Sequence, residues 1–89
     1  MKLKYEFSVR EIVGDYILIP LGEGALALSG MITTNEVGAY ICEKLKGDLD
    51  TDQLLEMFLA DYEVDEKTAK KDITEFLEQA KMLGIVEEA

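Results

Sequence analysis

The chain has 89 residues with 19 acidic and 9 basic side chains, and its formal net charge of −10 argues against nucleic acid and anionic membranes as partners, because their binders present basic surfaces. It contains no histidine and a single cysteine, which excludes a histidine metal site, a Ser-His-Asp triad, a Cys-His pair and an internal disulfide. No apolar run reaches the roughly 18 residues of a membrane helix and the first residues lack the apolar region of a signal peptide, so we expect a cytoplasmic protein.

The N-terminal third of the chain has the pattern of an antiparallel sheet. Tyr5, Phe7 and Val9 alternate with polar residues, which predicts a first strand that continues to Ile12. A Gly14-Asp15 turn leads into a second, apolar strand from Tyr16 to Pro20. Three glycines interrupt the segment 22–30, for which we expect a loose or bulged return to a third strand.

The chain changes from strand to helix between Gly30 and Gly47. Met31 to Thr34 is short, β-branched and apolar, which predicts the third strand. Thr33 with Glu36 three residues later can form a capping box that opens the first helix, and Gly47 is suited to its end.

The remainder of the chain predicts two further helices. Asp50 with Gln53 can cap a second helix that ends near Tyr62, and Asp65 can cap a third that ends at Gly84. Ile85-Val86 can add a brief strand. The predicted architecture is an α+β domain spanning residues 1–89, in which a three-stranded antiparallel sheet is followed by three helices.

The two flanks of the third helix differ in charge. At about 100° per residue, one flank of its apolar stripe carries Lys67, Lys70, Thr74 and Lys81, whereas Asp72 and Gln79 fall on the other. The basic flank is either a solvated surface with intrahelical ion pairs or a local positive rim that attracts an acidic peptide.

Two features resemble chemical sites but have simpler interpretations. Cys42 lies in the first helix beside Ile41, and we interpret it as a buried small hydrophobe. The acidic segment 46–56 lacks the ligand spacing and central glycine of an EF-hand, so we interpret it as a loop and a helix start, with no metal expected.

The chain resembles the PqqD-like family of peptide-recognition modules over nearly its whole length. No single motif is specific, but their order is. The series is Arg10-Glu11 with Gly14-Asp15; Gly30-Met31-Ile32 leading into Asn35-Glu36-Val37-Gly38; Leu45-Lys46-Gly47; Tyr62 with Val64-Asp65; and Asp72-Ile73 with Phe76-Leu77 before Leu83-Gly84-Ile85. Two positions depart from the family pattern: Thr34 stands where leucine is usual, and Cys42 where tryptophan is frequent.

The resemblance implies a winged-helix-like domain without catalytic residues or cofactors. Such modules bind the leader segment of a precursor peptide as an added strand, between the third strand and the third helix, and present the peptide to a modifying enzyme, often a radical-SAM protein. Carried over to this chain, the edge is Met31, Ile32 and Thr33, and the helix wall is Lys70, Thr74, Leu77 and Lys81.

Several of these assignments have alternatives that the sequence leaves open. One of Met31 and Ile32 is expected to face the core, and Leu77 is better suited to the core than to a ligand contact. Asn35 and Gly38 fit helix-start geometry and close packing. Ile32→Pro is expected to remove a backbone donor from the free edge. A winged-helix transcription regulator is the alternative function; the helix order favours it and the net charge opposes it.

Overall fold

The computed structural model of the protein describes residues 1–28, 30–45 and 47–88. Its main sheet contains β2 (Phe7–Ile12), β3 (Asp15–Pro20) and β4 (Ile32–Thr34), antiparallel and in that spatial order. Val13 and Gly14 between β2 and β3 both have positive φ, 42° and 85°, the combination that a type I′ hairpin turn requires. The predicted three-stranded antiparallel sheet is therefore confirmed.

The strand register determines which way the backbone of β4 points. The Leu21 N–H donates to the Glu6 carbonyl at the end of the β2–β3 ladder. Glu6 and Leu21 therefore face each other as a hydrogen-bonded pair. Such pairs alternate along an antiparallel ladder, so in β3 Ile17 bonds towards β2 and its neighbours bond towards β4. Ile32 and Thr34 therefore bond inward to β3, and Thr33 points its N–H and C=O away from the sheet. The expectation that Ile32 supplies a donor to the free edge is thus wrong.

Two short elements were absent from the sequence prediction, and a third was predicted close to its observed place. The return between β3 and β4 contains α1 (Glu23–Ala27), where Gly24 lies against Tyr5 and Pro20. β1 (Lys2–Leu3) pairs antiparallel with β5 (Val86–Glu87), close to the brief terminal strand expected at Ile85-Val86. Two-residue strands are too short to show a period in the sequence, because only their pairing defines them.

The first predicted helix, α2 (Glu36–Lys44), begins two residues later than a capping box at Thr33 would place it. Its N-cap is Asn35, whose side chain accepts a 2.9 Å hydrogen bond from the Gly38 N–H. The predicted Thr33–Glu36 capping box is wrong because Thr33 belongs to β4. The helix ends before Gly47, which has a left-handed φ of 69°; Lys46 lies outside the described residues.

The second and third predicted helices are α3 (Thr51–Asp61) and α4 (Glu66–Leu83). Asp50 and Gln53 form the predicted capping box, and Asp65 accepts from the Thr68 N–H at the start of α4. Gly84 ends α4 in the left-handed conformation, as expected. All three predicted caps of these helices are confirmed, because they depend on residues close together in the chain.

The core forms where the three longer helices meet the inner face of the sheet. Its most deeply buried side chains come from β3, the three helices and the segment after α4: Leu18, Ile41, Leu54, Ile73 and Ile85. Cys42 is 3% exposed and belongs to this core, which confirms its interpretation as a buried hydrophobe. Within the described ranges, no helix combines the length and apolarity needed to cross a bilayer.

Candidate functional site

The junction of β4, α2 and α4 is built around Gly38. A Cβ atom on Gly38 would lie 2.6 Å from Cε1 of Phe76 and would also collide with Oγ1 of Thr34. Only glycine leaves room for the Phe76 ring to reach the start of α2. This close packing, expected from the sequence, holds α4 beside β4 in a fixed orientation.

A cavity of about 250 Å³ lies between the outer edge of β4 and α4. On one side it is bounded by the end of β4 and the N-cap of α2, and on the other by one flank of α4. β4 pairs only with β3 among the described strands, so the backbone of Thr33 is left free on this side. The residues that line the cavity are Thr33, Thr34, Asn35, Asp72, Glu75, Phe76 and Gln79.

Of the seven residues predicted to bind a peptide, only Thr33 lines this cavity. Met31 is 66% exposed and precedes β4, while Ile32 is half-buried and packs against the core. Leu77 is 4% exposed, so its side chain is part of the core and does not form a wall.

The remaining predicted residues, Lys70, Thr74 and Lys81, are exposed on the opposite flank of α4 and do not line the cavity beside β4. Lys81 instead forms a 2.8 Å salt bridge with Glu88. The reason is the docking of α4: its apolar stripe is buried, and the flank that turns towards β4 carries Asp72 and Gln79. Ligand contacts of the basic flank stay a prediction.

The sequence contained a partial signal for the residues that do line the cavity. Asp72, Glu75 and Gln79 recur at spacings of three and four, so they share one helix flank. That spacing identifies a common surface, but it does not say what the surface faces. The sequence marked Asn35 only as part of the helix start and Thr34 only as a departure from the family pattern. Their place beside the cavity follows from the end of β4.

A second cavity, of about 330 Å³, contains a group of tyrosines and carboxylates along α2 and at the C-terminal end of α3. Tyr40 donates a 2.7 Å hydrogen bond to Asp61, and burial together with this bond raises the pKa of Tyr40. The ring of Tyr62 stacks on Phe58 at 4.6 Å between centroids and meets Tyr40 edge-on at 5.6 Å. Burial and the nearby carboxylate of Glu36 also raise the pKa of Tyr62.

Two other features are less suited to a site. A further cavity, of about 440 Å³, is lined by residues 2–7 with Leu21, Cys42, Leu45 and Gly47, and includes no residue of β4 or α4. Burial raises the pKa of the Cys42 thiol to about 12, so the thiol is protonated at neutral pH and is a poor nucleophile.

The sheet, the three helices and the open strand edge beside α4 together define a winged-helix-like α+β domain with a groove along one helix. The family model for coenzyme PQQ synthesis protein D (PqqD) matches residues 16–86. The chain therefore belongs to the PqqD family. No curated protein sequence matches the chain significantly.

A solved structure with the same fold is that of TbiB1 in complex with the TbiA(beta) leader peptide. It aligns over 100% of this chain and 98% of TbiB1, with a TM-score of 0.66 and 21% sequence identity. At this identity the similarity shows the fold.

Proposed function

We propose that this protein is a non-catalytic adaptor that binds the leader segment of a precursor peptide and presents that peptide to a modifying enzyme. The observation that carries the proposal is the outward-facing backbone of Thr33 on an unpaired strand edge, beside the cavity against α4. An added strand gains main-chain hydrogen bonds there, and side-chain contacts in the cavity supply selectivity. Membership of the PqqD family and the leader-peptide complex of TbiB1 support this function.

The site in this proposal differs from the one expected from the sequence. The strand edge is centred on Thr33, with Met31 as the exposed residue before it, and the helix wall is formed by Asp72, Glu75 and Phe76. A radical-SAM protein as the modifying enzyme, and the cytoplasm as the location, belong to the proposal. The comparisons with known proteins give no support to the alternative of a transcription regulator, and the net charge of −10 continues to oppose it.

The test is a backbone amide NMR titration with leader peptides of precursors encoded near the gene. We expect shifts concentrated on residues 31–35 and on the flank of α4 that includes Asp72. Thr33→Pro should weaken binding at least tenfold, because it removes the outward N–H without removing a bond of the sheet. Thr33→Val retains the N–H and is the matched control.

A scan on the peptide keeps the test decisive if Thr33→Pro does not fold. Single N-methylation of successive peptide residues removes one N–H at a time. Strand addition predicts that every second methylation abolishes binding, since alternate residues face β4. Saturating peptide without shifts at residues 31–35, or methylation effects without this alternation, would overturn the proposal.

A further inference from the structure

The cavity beside β4 continues into the cavity of the tyrosines through a third, smaller one. This middle cavity, of about 170 Å³, shares Asp72 with the cavity beside β4 and shares Glu36 and Tyr62 with the tyrosine cavity. The three therefore follow one another from the strand edge, past the start of α2, to the ends of α2 and α3. We call this continuous surface the acidic groove.

The charges of the acidic groove are almost all negative. Its lining includes five carboxylates and one ammonium group, that of Lys44. In the described part of the chain, the salt bridges of acidic side chains involve Asp48, Glu87 and Glu88, none of which lines the groove. The groove therefore presents negative charge that the basic side chains of the described residues do not neutralise. The lining carboxylates are Glu36, Glu43, Asp61, Asp72 and Glu75.

Aromatic rings line the same groove as these carboxylates. Tyr16, Tyr40 and Tyr62 border the cavity that also contains Glu36 and Asp61. A ring face and a carboxylate both attract an ammonium or guanidinium group, and partial removal from water strengthens the attraction. This combination favours a cationic side chain over an anionic or a purely apolar one.

We propose that the acidic groove selects an extended peptide segment with Lys or Arg side chains, one beside Asp72 and Glu75 and another beside Glu36 and Tyr62. The inference rests on the peptide-binding function proposed above and assigns the chemistry of its ligand. In a strand added at Thr33, alternate side chains point to the same face, so every second residue can reach the flank of α4. A segment that continues past Asn35 then enters the middle cavity. The acidic groove thus prefers a cationic peptide, whereas the lysine flank of α4 was expected to attract an acidic one.

The test is a selection from a displayed library of random 12-residue peptides, followed by affinity measurements on the enriched sequences by fluorescence anisotropy. We expect enrichment of Lys and Arg at two fixed positions, and an affinity that falls at least fivefold between 50 and 300 mM NaCl because salt screens partly exposed charges. The double variant Asp72→Lys/Glu75→Lys should weaken binding at least tenfold.

Two matched control variants distinguish binding in the acidic groove from nonspecific attraction to an acidic protein. Glu56→Lys/Glu78→Lys makes the same change in net charge at exposed positions outside the groove, and Lys67→Glu/Lys70→Glu alters the opposite flank of α4. Each should change affinity less than twofold. An equal loss in Glu56→Lys/Glu78→Lys would overturn the inference.

The outcomes also separate this inference from the proposed function. Enriched peptides that lose binding in Thr33→Pro but carry no excess of Lys or Arg would overturn the cationic preference and leave the adaptor function in place. A library from which no peptide is enriched would overturn both.

Discussion

The two flanks of α4 lie on either side of the same apolar stripe, yet they have different surroundings. One carries Asp72, Glu75 and Gln79 and borders β4, α2 and the acidic groove. The other carries Lys70 and Lys81 and faces solvent, apart from the salt bridge of Lys81 to Glu88. The comparison teaches that a charge pattern on a helix acquires a function only from what packs beside it.

The strongest test of this comparison removes the side chain that holds the acidic flank against β4. Phe76 is 8% exposed and packs against Gly38, so Phe76→Ala should lower the free energy of unfolding by about 3–5 kcal/mol. Urea denaturation followed by circular dichroism measures the change. Met82→Ala, at a side chain that is 88% exposed, is the control and should change stability by less than about 0.5 kcal/mol. Equal effects of the two variants would contradict the described docking of α4.

A smaller effect is expected from filling the space at the same junction. Gly38→Ala places a methyl group against Phe76 and Thr34, and we expect a loss of about 1–3 kcal/mol. Thr34→Ala in the same chain should recover part of that loss, because it removes one of the two clashes. A double-mutant cycle measures this coupling, and strictly additive effects would show that Gly38 does not contact Thr34.

The tyrosines that line the acidic groove should ionise at a higher pH than a free tyrosine does. The carboxylate of Glu11 raises the pKa of Tyr16 to about 12, and the pKa values of Tyr40 and Tyr62 are also raised. Because the folded protein favours the neutral phenols, their contribution to stability is present below the ordinary pKa of about 10 and is lost as the pH rises towards 12. Absorbance at 295 nm measures the ionisation. Glu11→Gln should bring one tyrosine back towards its ordinary pKa, and an unchanged titration curve would contradict the effect of Glu11 on Tyr16.

The smallest expected effect is on the basic flank, where the pKa shift is downward and not upward as it is for the tyrosines. The hydrogen bond and charge of Lys81 lower the pKa of Glu88. The contribution of this ion pair to stability is present above the ordinary pKa of a glutamate and is lost as the pH falls through the lowered pKa. Because both side chains are exposed, this contribution is slight. Carboxyl-carbon NMR of Glu88 should show an upward shift of the pKa in Lys81→Met. A Glu88 pKa that does not respond to the substitution would rule out the pair.

The parts of the fold that the sequence predicted well are those set by neighbours along the chain. Asp50, Asp65 and Gly84 were correctly placed at helix ends because a cap contacts the residues three or four positions away. Asn35 displaced the predicted capping box because Thr33 is held in β4, which only the pairing with Ile17 decides. β1 escaped prediction for the same reason, since its pairing with β5 joins the two ends of the described chain.

By itself, the sequence determined the antiparallel sheet, the three longer helices, the burial of Cys42 and the presence of two differently charged flanks on α4. The tertiary structure decided which flank meets β4 and that Thr33, not Ile32, turns its backbone donor outward. An amphipathic pattern fixes which stripe is buried, but the two flanks are equivalent with respect to that stripe. Their difference arises only when Phe76 packs against Gly38 and when the register of β3 sets the alternation of hydrogen bonds along β4.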